Sequence, residues 1–426
     1  MHILFLTDNF PPEGNAPATR TYEHATRWVE KGHQVTVITC VPNFPEGKVF
    51  SGFKNKLYDV SNLDGIKVVR VKTYITANDG FVKRILDYMS FMISGFFAGL
   101  FQKKPDVIVA TSPQFFCACA GWALSAVRRK PFVFELRDIW PASITAVGAM
   151  KDSVAIRLLE KVEMFLYRRA DSIVSVTHAF KKELIERGVD GDKIEVVLNG
   201  VDLTKYQPAI FKDSELVKRY NLDGKFVAGY VGTHGMAHGL EHIVSVAEKL
   251  KDNDDIRIVF AGGGAARQKV IDLVNQKQLK NVVLIDRQPK EMMPKLWSLC
   301  DVSLVPLVNS ELFRTVIPSK IFECMGMGIP TIMSVPEGEA TTIIRDTNSG
   351  IVVGSENVEQ ISQAIIKLHI DKAFYAEIKA ASIVASPKFS RDLMAEDMLD
   401  IFSRQVPNKK DGHNHDNQLS NIKSDC

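Results

Sequence analysis

Short runs of β-branched residues recur along this chain with helical stretches between them, and the whole pattern occurs twice. The first series is HILFLTD (2–8), QVTVITC (34–40), KVVRVKT (67–73), DVIVATS (106–112), FVFELRD (132–138), SIVSVTH (172–178) and IEVVLN (194–199). After Tyr206 it restarts with FVAGYVG (226–232), RIVFAGG (257–263), NVVLID (281–286), VSLVPL (302–307) and PTIMSV (330–335). Apolar runs without polar alternation are strands buried on both faces, which belong to parallel sheets covered by helices. Two series, parted near residues 201–208, predict an α/β chain of two doubly wound domains. The 426 residues let each domain bury its own core. Helices are expected at 19–31, 155–169 and 390–404. The tail after Val406, PNKKDGHNHDNQLSNIKSDC, is polar and expected to be disordered.

In such sheets ligands bind outside the carboxyl ends of the strands, so polar residues just after strands carry the functional reading. The most informative segment is PSKIFECMGMGIPTIMS (318–334). Pro318 suits the first turn of a helix. No Ser, Thr, Asp or Asn directly precedes it, so the amides of Ser319, Lys320 and Ile321 lack a cap and form an anion site. Lys320 and Glu323 share one face, and Ile321, Cys324, Met325 and Gly328 share the buried one. A cation and an acid beside an anion site suit a ligand with both phosphate and hydroxyl groups, such as a nucleotide sugar. An ordinary surface ion pair is the competing reading.

The loop DNFPPEGNAPATRTYEHA (8–25) is longer than a plain βα turn needs, and Gly14 and Asn15 sit at its centre, before a helix starting near residue 18. Arg137 and Asp138 emerge at the end of FVFELRD, as candidates for catalytic acid–base work (Asp138) or for binding sugar hydroxyls, with a simple ion pair as the competing reading. Gly232, Gly235 and Gly239 bracket Thr233, His234 and His238 in a turn able to cradle a diphosphate. AGGGAARQ (261–268) lacks the dinucleotide-loop spacing and is set aside. Asp252 and Asp254 match a two-aspartate metal pattern but lie on a polar loop and read as solvated, so no metal is expected.

Net charge is +3 and uneven: residues 1–206 carry 27 Lys and Arg against 22 Asp and Glu. That excess is too small for nucleic acid and fits an anionic membrane surface, or merely solvated helix ends. The runs 88–101 (YMSFMISGFFAGLF) and 115–127 (FFCACAGWALSAV) are too short to span a bilayer. They read as core helices or, for the Phe- and Met-rich 88–101, a helix dipping into one leaflet. Six cysteines lack metal spacing, and the opening MHILFLT reads as a strand rather than a signal peptide, which points to a reduced cytoplasm.

Together these segments resemble the family 4 retaining glycosyltransferases. The resemblance rests on PPEGNAPATRTYEHATRWVEKGHQVTVIT, VVLNGVDLTKY (196–206), YVGTHGMAHGLEHIVSVA (230–247), CDVSLVPL (300–307) and the 318–334 segment, in the family's order. Its APATRT, RDIWPAS and GTHGMAHGLE segments look closest to bacterial O-antigen and capsule transferases akin to N-acetyl-L-fucosamine transferase. The resemblance implies a GT-B fold: a Rossmann-like acceptor domain over 1–203, a Rossmann-like donor domain over 204–388, a crossover helix over 389–404 that returns to the first domain, and a disordered tail over 405–426. It implies a UDP-sugar donor, a polyprenyl-diphosphate-linked acceptor, an inner-membrane surface location, and no metal or cofactor. Glu323 matches the second glutamate of the family's E-x7-E motif, on the ribose hydroxyls, and Thr315 stands where the first is expected. Thr233 and His238 replace the usual diphosphate clamp, leaving the cation to Lys320, helped by Arg314 or Arg287. Pro318, Ser319, Gly232, His234 and Gly235 complete the implied donor side. Gly14, Asn15, Arg20, Arg137 and Asp138 face the acceptor, with Arg137 in place of the family's histidine and Asp138 the nearest acid. A GT-B sugar-nucleotide epimerase and an inactive scaffold of a polysaccharide assembly complex are the alternatives.

Overall fold

A computed structural model describes residues 1–44, 46–76, 81–112, 114–139 and 154–406. The expected tail beyond Val406 and residues 140–143 of the RDIWPAS segment lie outside these. The first sheet has eight strands: β1 (His2–Leu6), β2 (Gln34–Cys40), β3 (Tyr58–Leu63), β4 (Ile66–Val71), β5 (Val107–Thr111), β6 (Phe132–Leu136), β7 (Ser172–Ser175) and β8 (Ile194–Val196). Their order is β3-β4-β2-β1-β5-β6-β7-β8, parallel throughout except for β3. The second has six parallel strands: β9 (Phe226–Val231), β10 (Ile256–Ala261), β11 (Val282–Ile285), β12 (Val302–Pro306), β13 (Thr331–Ser334) and β14 (Gly350–Val353), ordered β11-β10-β9-β12-β13-β14. The strand order reverses direction at β1/β5 and at β9/β12, the two places where doubly wound sheets take ligands.

The sequence reading misses β3 and β14. Both are edge strands: β3 is largely exposed and reads YDVSNL, with no apolar run, and the apolar run of half-buried β14 is only the three residues Ile351, Val352 and Val353. Helix α1 (Ala16–Glu30) begins earlier than expected because the Asn15 side chain caps it, accepting from the Ala18 N–H at 2.9 Å. Helix α2 (Phe81–Leu100) starts a full turn and more before the apolar run that announced it, and α3 (Phe115–Arg128) coincides with its run.

α2 and α3 cover one face of the first sheet, and α1 covers the other. The last helix, Arg391–Gln405, lies beside α1. Trp28 Nε1 donates to the Ala395 carbonyl at 2.9 Å, and the Trp28 and Phe402 rings meet edge to face at 5.3 Å. The chain thus leaves the first unit through VLNGVD (197–202) and comes back alongside it. Val201 pairs with Ser390, and a Cβ at Gly200 would stand 2.6 Å from the Phe389 carbonyl oxygen. That close approach explains the glycine of the junction. Asp202, two residues on, is raised by burial but held down to about 2 by Thr204, Lys205 and Arg27.

Two carboxylates clasp the units together. Glu339, on the second unit, accepts the N–H groups of His178 and Ala179 at 3.0 Å each, at the start of the helix His178–Glu186 in the first. Glu23 of α1 receives Lys290 from the second unit at 3.2 Å and Arg391 at 2.9 Å.

Candidate donor and acceptor site

The helix runs Lys320–Met327, and of the three amides expected to be open that of Ile321 is used: it donates to the Pro318 carbonyl at 3.2 Å. Ser319 leads it with no side-chain cap, and Gly328, at φ 66°, ends it. Ile321, Phe322, Cys324 and Met325 are buried. Lys320 Nζ is buried too, 3.8 Å above the centroid of the Tyr230 ring, with no hydrogen-bond partner among the described residues. It lies against the end of β9: a Cβ at Gly232 would be 3.3 Å from it. Burial pulls its pKa down to about 8, with Cys324 and Glu323 opposing. A buried ammonium facing only a ring is a charge in want of an anion.

Glu323 lies three residues on, on the same face. Its Oε2 accepts from the indole Nε1 of fully buried Trp297 at 2.9 Å. Burial raises its pKa, and Trp297, Lys290 and Lys320 oppose that rise. The carboxylate is therefore aimed by a rigid neighbour. Sequence reasoning missed Trp297 and Tyr230, because nothing local marks a tryptophan in KLWSLCD or a tyrosine inside a buried strand as a partner of residues far along the chain.

The glycine turns around this helix lock together. His234 N–H donates to the Gly263 carbonyl and Gly232 N–H to the Ala261 carbonyl, both at 2.9 Å. Gly262 and Gly264 have φ of 142° and 144°, and a Cβ on them would fall 1.9 Å from the Gly232 oxygen and 2.7 Å from the His234 oxygen. AGGGAARQ is glycine-rich so that the turn after β9 can sit on it. Burial lowers both His234 and His238 to about 4, with Lys320 adding to the effect. Both rings are neutral, so neither replaces a clamping cation. Thr233 is exposed and lends its carbonyl to the Tyr230 hydroxyl, while Gly235 leaves room for the His238 ring, 3.2 Å from where its Cβ would be. Pro318 is half-buried and Ser319 exposed.

Arg314 and Thr315 are less favourable to the expectation. Arg314 pairs with Glu311 at 2.9 Å on the surface, and Thr315 Oγ1 donates to the Leu312 carbonyl at 3.3 Å, closing its own turn. Arg287 is exposed, with its Cβ 3.5 Å from a Cβ built on Gly263, so it flanks the locked turns.

On the acceptor side Arg20 requires correction. It is 1% exposed, and its guanidinium is used internally: Nε donates to Glu135 at 2.9 Å, and the terminal nitrogens donate to Asn199 and to the carbonyls of Val197 and Leu198. It ties α1 to β6 and to the domain junction and does not face a ligand. Asn15 is occupied by its capping bond and by Asn9. Gly14 is exposed, with nothing within 4 Å of a built Cβ, so its surroundings stay open. Ser112 Oγ receives the N–H groups of Arg137 and Asp138 at 2.7 and 3.2 Å, fixing the backbone where β6 ends. Burial takes Arg137 down to about 9, and one terminal nitrogen, Nη1, is buried without a partner among the described residues.

Residues 17–205 match the family model Glycosyltransferase Family 4, and residues 212–383 match Glycosyl transferases group 1, so the two models together span most of the chain. The chain belongs to the GT-B glycosyltransferases. This glycosyltransferase is 26% identical over 376 residues to a protein of Escherichia coli (strain K12) named as the colanic acid biosynthesis glycosyl transferase WcaI, covering 86% of this chain and 91% of that one. It is 26% identical over 221 residues to a glycosyltransferase of Pseudomonas aeruginosa named WbjE, covering 51% and 55%. Among solved structures, sucrose-phosphate synthase of Thermosynechococcus elongatus matches the glycosyltransferase with a TM-score of 0.74 at 15% identity, covering 95% and 98%. HepE of Anabaena in complex with UDP-glucose gives 0.69 at 17%, covering 95% and 100%. At such identities the likeness is one of fold.

Proposed function

We propose that this glycosyltransferase moves a sugar from a UDP-sugar to a polyprenyl-diphosphate-linked saccharide at the inner face of the cytoplasmic membrane, in O-antigen or capsule synthesis. An N-acetylated amino sugar such as N-acetyl-L-fucosamine is the sugar class. The reading rests chiefly on Lys320: a buried ammonium without a hydrogen-bond partner among the described residues, beside the turn after β9 and three residues before an aimed carboxylate. A nucleoside diphosphate satisfies both. Its phosphates reach Lys320 and the uncapped helix start, and its ribose hydroxyls reach Glu323. The anomeric carbon–oxygen bond breaks with its electron pair going to the diphosphate. The acceptor oxygen bonds to the same face, and its proton passes to the departing phosphate oxygen. Lys320 offsets the charge that grows there, which is electrostatic catalysis without a metal. The name of WcaI and the UDP-glucose bound to HepE support the substrate classes.

The membrane part of the reading rests on α2. Leu86, Met89, Ile93, Phe97 and Phe101 are exposed at helical spacing, Phe101 by 80%, while Phe91 and Ala98 are buried. Lys83, Arg84, Lys103 and Lys104 stand at its ends. An apolar stripe flanked by cations fits an anionic leaflet. No helix among the described residues is long and apolar enough to cross a membrane.

The test is calorimetry with UDP, followed by mass spectrometry of lipid-linked saccharide incubated with sugar nucleotides. Micromolar UDP binding and a one-sugar mass gain are expected. A folded protein that ignores UDP overturns the reading.

A further inference from the structure

The strand β3 stands at one end of the first sheet's strand order, and its residues are largely exposed. Among the edge strands, β8 has three residues and β11 and β14 have four each, while β3 has six. Folded proteins shield such edges with short strands, bulges, prolines or lysines, because an open edge pairs with strands it meets. The stretch YDVSNL has no proline and no lysine. It pairs with β4 without a bulge, from Tyr58 opposite Val71 to Leu63 opposite Ile66.

The turn decides which main-chain groups lie open. Asp64 and Gly65, at φ 50° and 81°, make a two-residue hairpin turn, so Leu63 and Ile66 form a hydrogen-bonded pair. Every second residue back from there faces β4: Ser61, Asp59 and Leu57, whose carbonyl accepts from the Lys72 N–H at 3.4 Å. Tyr58, Val60 and Asn62 then turn their N–H and C=O groups outward, where no strand of the sheet lies. Their side chains are on the α2 side. Gln102, just after α2, donates to the Tyr58 hydroxyl at 3.0 Å, and Val60 stands opposite Val69, which belongs to the cluster that α2 packs on. Val60 is 48% exposed.

This edge is complementary to itself. Laid antiparallel against its own copy with Val60 on the two-fold axis, all three outward residues are engaged. Val60 meets its counterpart, and Tyr58 and Asn62 meet each other across the axis, each pair exchanging both main-chain hydrogen bonds. The same register sets Lys56 against Asp64, opposite charges, and Leu57 against Leu63. A slip that puts Asp59 on the axis faces it with its own copy, and like charges directly opposite destabilise a pair. The axis stands perpendicular to the sheet, so the α2 faces of both copies stay on the same side. Their exposed apolar stripes then approach one leaflet together.

We propose that a second copy of this chain docks on β3, antiparallel and with Val60 on the two-fold axis, so that two first sheets join into one.

The experiment uses the full chain with Cys426→Ser, so that this thiol adds no cross-link. Hydrogen-bonded antiparallel pairs hold their Cα atoms about 5.5 Å apart, a span that a disulfide bridges. Val60→Cys is expected to give a disulfide-linked dimer under mild oxidation, in solution or on anionic vesicles. Asn62→Cys, whose counterpart lies four residues along the strand, is expected to stay uncross-linked. In sedimentation velocity the parent chain should show a dimer fraction that grows through the micromolar range. Val60→Lys, which sets two ammonium groups on the axis, should run as a monomer throughout, with melting curve and UDP affinity unchanged. If Val60→Cys fails to fold, Val60→Lys carries the test. A dimer that survives Val60→Lys uses another surface and overturns the proposal. So does equal cross-linking of the two cysteine variants. A parent chain that stays monomeric while Val60→Cys forms no cross-link overturns it as well, and is the result expected if β3 takes a strand of another protein. Dimerisation is read without donor or acceptor, so these outcomes stand apart from the glycosyltransferase reading.

Discussion

Replacing Lys320 by methionine is expected to make the free protein more stable and worse at its task. The ammonium is buried over Tyr230 without a hydrogen-bond partner among the described residues, and its pKa falls from 10.5 to about 8. At 1.36 kcal/mol per pKa unit, holding the charge there costs up to about 3 kcal/mol at neutral pH. The sign follows from proton counts. Between pH 8 and 10.5 the unfolded chain binds the proton and the folded one does not, so stability rises with pH across that window. Urea unfolding of wild type should therefore show a gain from pH 8 to pH 10 that Lys320→Met lacks, and the variant should be the more stable at pH 7. UDP should show the reverse. Losing a charge-assisted bond to phosphate costs about 1.5–3 kcal/mol, or roughly 10- to 150-fold in affinity. In wild type, UDP affinity should fall as pH rises through 8. If the variant keeps wild-type UDP affinity, or both proteins share one pH–stability profile, Lys320 is not a buried unpaired cation awaiting phosphate.

Glu323→Gln should weaken UDP binding by about 1–3 kcal/mol in calorimetry, with the fold intact. Arg20→Met should lower stability by about 3–5 kcal/mol in a urea melt, because it strands the buried Glu135 carboxylate. Ile93, Phe97 and Phe101 changed together to Ser should release the protein from anionic vesicles in a sedimentation assay without shifting the melting temperature; Phe96 packs against the core and is left alone. Transfer should persist in EDTA, followed by the same mass gain on the acceptor.

The strands buried on both faces were legible because each needs an unbroken apolar run; β3, exposed and reading YDVSNL, carries none, and the three apolar residues of β14 are too few to stand out. The 320–327 helix was legible for a local reason as well: Pro318, the missing cap and the Lys320–Glu323 spacing all lie within one turn. Arg20 was not. It belongs to a motif that looks ligand-facing, yet its partners Glu135 and Asn199 lie more than a hundred residues away, and only folding shows that they use it up. The same distance hid Trp297 behind Glu323.

The return of the chain to its first unit has a consequence for synthesis. Met394, Met398, Leu399 and Phe402 belong to the same apolar cluster as Ile3, Phe5 and Trp28. The first sheet thus leaves the ribosome with one face incompletely covered, and waits there for roughly two hundred residues more. Domains that emerge early usually fold early; this one completes its core only when the last helix arrives. A stop codon just before that helix would spare the turns around Lys320 and Glu323, yet leave Trp28 and its neighbours open to whatever apolar surface reaches them first.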